Sequence, residues 1–122
     1  MTFKIFIFFF FILSIALKPT FAKYPLDSEM YAAENGNITI PCRPEAAPFP
    51  SFTWKRDGYG LSSVGRIRIL PNGYLHINPV KREDEGRYTC IAKNQYGSDY
   101  SEGLLIVLGK CTLNNCKHKK LL

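Results

Sequence analysis

Two cysteines and one tryptophan constrain this chain more than any other feature. Cys42 and Cys90 each stand in a short run of alternating apolar residues, and Trp54 follows the first cysteine by twelve positions. Successive side chains of a β-strand point to opposite sides of the sheet. In residues 37–42 this puts Ile38, Ile40 and Cys42 on one face, and in residues 86–94 it groups Tyr88, Cys90 and Ala92. Both thiols then face inward. Two sheets packed about 10 Å apart can be cross-linked through their centre by one disulfide. The ring of Trp54 can pack on that bridge. Tyr88, two positions before Cys90, fits a corner in which its hydroxyl returns to upstream backbone. The bridge would close a loop of about 49 residues and stabilise the fold by roughly 4 kcal/mol in the chain-entropy model. That is a large share of the ~5–15 kcal/mol by which a domain is stable.

The other runs have the same period. Phe52 and Trp54 alternate with Thr53 and Lys55, and Ile67 and Ile69 alternate with Arg66 and Arg68. Pro71-Asn72-Gly73 is a turn signal, after which Leu75 and Ile77 point inward. Residues 103–108 are apolar on both faces. No stretch holds a helical period. The expectation is an all-β sandwich of two antiparallel sheets with about seven strands.

Both ends of the chain read differently from this body. Lys4 precedes an apolar run over residues 5–17, Lys18-Pro19 breaks it, and Thr20-Phe21-Ala22 ends in a small residue. The run is shorter than the ~20 residues a spanning helix needs. It has the form of a secretory signal peptide, residues 1–22, cut after Ala22. The domain is then expected over residues 23–109, with no membrane-spanning segment. Residues 110–122 are expected as a disordered basic tail holding Cys111 and Cys116. An even cysteine count suits export, and these two thiols can close a second small disulfide. With His118 they also form half of a zinc site, which a three-ligand tail does not complete. The run Lys117-His118-Lys119-Lys120 suits anionic polysaccharide or lipid heads. The codons for Gly109-Lys110-Cys111 can also contain a splice-donor sequence, which would make the tail translated intron and the chain one exon of a larger receptor.

The net charge of +6 comes from these ends. Residues 23–109 hold ten Lys or Arg and ten Asp or Glu. No basic face is available for nucleic acid. Catalysis has little to stand on either. His76 alternates with two inward residues, His118 lies in the tail, and no nucleophile has a recognisable base. No enzyme activity, cofactor or metal is expected.

The motifs around the cysteines resemble a known family. Asp84-Glu85-Gly86-Arg87-Tyr88-Thr89-Cys90 is similar to the D-x-G-x-Y-x-C signature of immunoglobulin domains. Ala47-Pro48-Phe49-Pro50 ahead of Trp54 resembles the approach of the intermediate (I-set) class. The stretch over residues 42–48, the run over residues 66–77 (RIRILPNGYLHI) and Ala92-Lys93-Asn94-Gln95-Tyr96-Gly97 are similar to repeats of contactins and related neural adhesion molecules. The resemblance covers about residues 28–108. It implies an I-set sandwich and a structural ion pair between Arg66 (with Arg68 in reserve) and Asp84. It also implies recognition of another extracellular protein in adhesion or axon guidance, by self-binding or with another immunoglobulin-type protein. The place of work is the extracellular space or the outer face of the plasma membrane. A free-standing secreted ligand or decoy is the second reading, and a spacer the third.

The fold class alone names no binding site. By alternation the outward residues of the sheet bearing Cys90 are Thr89, Ile91, Lys93, Leu104 and Ile106, with Thr53 and Lys55 beside them. Three aliphatic groups facing water mark a candidate docking face, centred on Ile91, Lys93, Leu104 and Ile106. Asn37-Ile38-Thr39 is an N-glycosylation sequon whose asparagine points away from the core. Asn114-Asn115-Cys116 is the rarer cysteine form of the same pattern.

Overall fold

A computed structural model describes residues 15–109. Within them the chain forms ten strands: β1 (Leu17–Thr20), β2 (Glu29–Ala33), β3 (Ile38–Ile40), β4 (Glu45–Ala47), β5 (Ser51–Arg56), β6 (Tyr59–Gly60), β7 (Ile67–Ile69), β8 (Leu75–Ile77), β9 (Gly86–Asn94) and β10 (Gly97–Leu108). One short 3₁₀ turn, Arg82–Asp84, lies between β8 and β9.

The strands build a five-stranded sheet in the order β2-β10-β9-β5-β6, a three-stranded sheet β3-β8-β7, and a pair β1-β4. Between β3 and β4 the chain leaves the three-stranded sheet for the β1-β4 pair, through a stretch holding Pro41 and Pro44, which have no N–H to give a ladder. Side chains from the facing sheets meet in a core that includes Trp54, Ile40, Leu75, Ile77, Tyr88 and Leu105, each at most 1% exposed. The disulfide Cys42–Cys90 crosses this core with its Cα atoms 6.4 Å apart. Trp54 is wholly buried, and its indole N–H donates to the Gly73 carbonyl at 2.8 Å, so the ring brings no orphan donor inside. Gly73 has φ +93°, and a Cβ there would lie 2.6 Å from the Phe52 ring. The turn over residues 70–74 thus has both a conformational and a steric reason for glycine.

Three features were not read from the sequence. First, residues 17–20, within the stretch expected as a leader, form a strand. β1 pairs antiparallel with β4, Pro19 is fully buried, Phe21 is 4% exposed, and the Phe21 N–H donates to Asp99 at 2.8 Å. A cut after Ala22 would remove this strand. The remainder of the expected leader and the tail with Cys111, Cys116 and His118 lie outside the described residues.

Second, β10 runs from Gly97 to Leu108, twice the length read from its apolar half. Third, one pairing is parallel: β2 lies along β10 with Met30 opposite Leu105 and Ala32 opposite Val107. Gly103 permits this junction, since a Cβ there would lie 2.2 Å from the Asp27 carbonyl oxygen. All other strand pairings are antiparallel.

Candidate functional site

The outward face of the five-stranded sheet is set by one register. β9 and β10 pair without interruption from Asn94–Gly97 to Gly86–Leu105, and β5 pairs with β9 so that Trp54 faces Cys90. Because both members of each pair point the same way, burying Cys90, Ala92, Leu105 and Val107 turns their neighbours outward. Ile91 sits between Thr53 on β5 and Tyr100 on β10. Ile106 lies opposite Tyr31 on β2, and Leu104 lies between Arg87 and Glu29.

Ile91, Leu104 and Ile106 are half-buried, while Lys93 is exposed. The rings that complete the patch are more open: Tyr100 is 61% exposed and Tyr31 42%. Sequence alternation placed the three aliphatic residues but missed both tyrosines, because the polar half of β10 and all of β2 were not read as strands. The signal was present in the alternation of Tyr100, Glu102, Leu104 and Ile106.

Charged groups stand within and beside the row, with Glu102 between Tyr100 and Leu104 on β10. Arg87 lies 4.0 Å from Glu102, and the Tyr31 hydroxyl donates to Glu29, which raises the Tyr31 pKa. Lys55 flanks the row on β5 and Lys93 on β9. Glu102 thus separates two apolar clusters on this face, Tyr100 with Ile91 and Leu104 with Ile106 and Tyr31.

A structural cluster lies at the turn ahead of β9, beside the Leu104–Val107 end of β10. Arg66 donates to both carboxylate oxygens of Asp84, the Lys81 N–H adds a bond at 2.7 Å, and Arg56 stands 3.6 Å away. Burial pushes the Asp84 carboxyl up, but these donors and charges outweigh it and hold it below its ordinary value. The Tyr88 hydroxyl donates to the Asp84 carbonyl at 2.6 Å, and burial raises its pKa despite Arg56. Arg68 is exposed and pairs across strands with His76, away from Asp84. Asn37 is exposed just before β3.

Among the described residues no cluster of three or more His, Cys, Asp or Glu is placed to hold a metal ion. No helix there is long and apolar enough to cross a membrane.

Residues 18–94 match the family model described as Immunoglobulin domain. The chain belongs to the immunoglobulin-domain family. It is 57% identical over 94 residues to Contactin of Drosophila melanogaster, and 41% identical over 93 residues to human Contactin-1. Those alignments cover 77% and 76% of this chain but only 7% and 9% of the relatives, so the chain spans less than a tenth of their length. Among solved structures, Sidekick-1 immunoglobulin domains 1–4 align with a TM-score of 0.68 at 33% identity, over 77% of this chain and 25% of that one. This immunoglobulin domain thus resembles contactin modules, and it is not an enzyme.

Proposed function

We propose that this immunoglobulin domain is an extracellular recognition module that docks another cell-surface protein through the outward face of its five-stranded sheet. It serves as one domain of a larger adhesion receptor of the axon-guidance kind. The observation that carries this reading is a face with two aromatic-anchored apolar clusters, Tyr100 with Ile91 and Leu104 with Ile106 and Tyr31, on either side of the Arg87–Glu102 pair. Its likeness to contactins and to Sidekick-1 supports a cell-surface setting, and the buried disulfide suits an oxidising compartment.

A face of one domain offers about 800 Å² to a partner, so a single contact is weak and arrays of modules supply avidity. The test uses the chain tetramerised on streptavidin and applied to cultured neural cells. Staining that trypsin treatment of the cells abolishes supports a protein receptor. Excess free chain competing on chain-coated beads identifies self-binding. Staining no stronger than an unrelated immunoglobulin tetramer, or staining that survives trypsin, overturns the proposal.

A further inference from the structure

Asn37-Ile38-Thr39 sits at the start of β3, on the sheet opposite the docking row. Asn37 is exposed and follows a tight turn in which the Gly36 N–H donates to the Ala33 carbonyl at 3.0 Å. Ile38 and Ile40 turn toward the core, so Thr39 turns out, with its hydroxyl 2.8 Å from His76 Nδ1. The acceptor amide and the threonine are therefore both on the surface, as the N-x-T pattern requires.

The position borders an open edge. β3 pairs with β8 on one side, and among the described residues no strand pairs with its other side. A cleft of about 330 Å³ runs along that side between Asp27, Glu29 and Tyr31 on one bank and Ile38, Thr39 and Pro41 on the other. Unpaired strand edges are templates for other chains, and folds usually blunt them with charge or cover. β3 itself has no charged residue.

We propose that Asn37 carries an N-linked glycan and that this glycan covers the open β3 edge, leaving the β5, β9 and β10 part of the five-stranded face as the free protein surface. The donor class is a lipid-diphosphate-linked oligosaccharide. The Asn37 amide nitrogen bonds to the anomeric carbon of the first sugar, the carbon–oxygen bond to the diphosphate breaks, and the amide proton passes to the transferase. The proposal rests on the extracellular reading, because this transfer occurs in the secretory pathway.

The test is expression of the full chain behind a heterologous secretion leader in animal cells, which keeps the result independent of cell binding. The expected result is a chain whose mass falls on treatment with peptide N-glycosidase, with conversion of Asn37 to Asp in its tryptic peptide. Asn37→Gln and Thr39→Ala lose the modification, Thr39→Ser keeps it, and Asn114→Gln leaves it unchanged. An unmodified Asn37 peptide from secreted, disulfide-bonded chain overturns the proposal. Sedimentation tests the covering role. Both glycan-free variants, folded with unchanged Tm, are expected to self-associate while the glycosylated chain stays monomeric. Identical sedimentation of all three overturns that role.

Discussion

Arg66 holds both oxygens of Asp84, donating to Oδ2 at 2.7 Å and to Oδ1 at 3.1 Å across eighteen residues of sequence. Asp84 is fully buried, and its second anchor is the Lys81 amide at 2.7 Å. The bidentate geometry belongs to arginine, whose planar fork matches a carboxylate. Its position ties β7's approach to the turn ahead of β9, where the Tyr88 hydroxyl also ends. The pair closes one end of the sandwich.

Removing one partner leaves a buried charge with weaker compensation. Arg66→Leu is expected to destabilise the domain by about 3 kcal/mol, with Arg56 limiting the loss. For a domain of this size the Tm falls by about 10–20 °C. Arg68→Leu, on the exposed face, is expected to change stability by less than about 0.5 kcal/mol. Urea denaturation of both variants checks the contrast, and equal midpoints would remove Arg66 from this role.

Acid should act through the same carboxylate. The Asp84 pKa is depressed in the folded state, so its contribution is fully present above the unfolded value of about 3.9 and is lost as pH falls through the lower folded value. Stability against urea is expected to be flat from pH 7 to 5 in respect of this group and to decline from about pH 4 downward. Asp84→Asn lowers the plateau and removes that part of the decline. Parallel profiles for the two proteins would assign the acid sensitivity elsewhere.

β1 gives a third expectation. Phe21 is 4% exposed and its N–H is held by Asp99, so Phe21→Ala is expected to destabilise by about 3 kcal/mol or more. A chain starting at Lys23 loses Pro19 and the β1–β4 ladder as well, and is expected to melt lower still. Calorimetry of the two against a chain starting at residue 15 decides whether these residues belong to the fold.

The centre of the fold was legible because burial and period agree there. Cys42, Trp54, Tyr88 and Cys90 each sit in a run whose alternation survives every tertiary contact. The strand β1 was not read, since an apolar run ending in Lys18-Pro19 has the form of a leader as well as of an edge strand, where proline is tolerated. β2 was missed because Met30 and Ala32 are weak strand signals and their partner β10 lies more than seventy residues away. The polar half of β10 hides an inward Ser101, whose hydroxyl accepts the Leu26 N–H at 2.8 Å, a contact no hydropathy pattern reports. For the proposed docking face, alternation was enough to turn Ile91, Lys93, Leu104 and Ile106 outward. Tyr31 and Tyr100 needed the sheet order.

The central claim is that recognition belongs to the five-stranded face. Its most direct test compares streptavidin tetramers of the native chain, of Ile91→Glu with Ile106→Glu, and of Arg68→Glu with His76→Glu on the opposite sheet, all on the same neural cells and matched for Tm. The account predicts that the first double variant loses roughly tenfold or more in binding while the second binds like the native chain. A folded Ile91→Glu, Ile106→Glu chain that binds undiminished would contradict it.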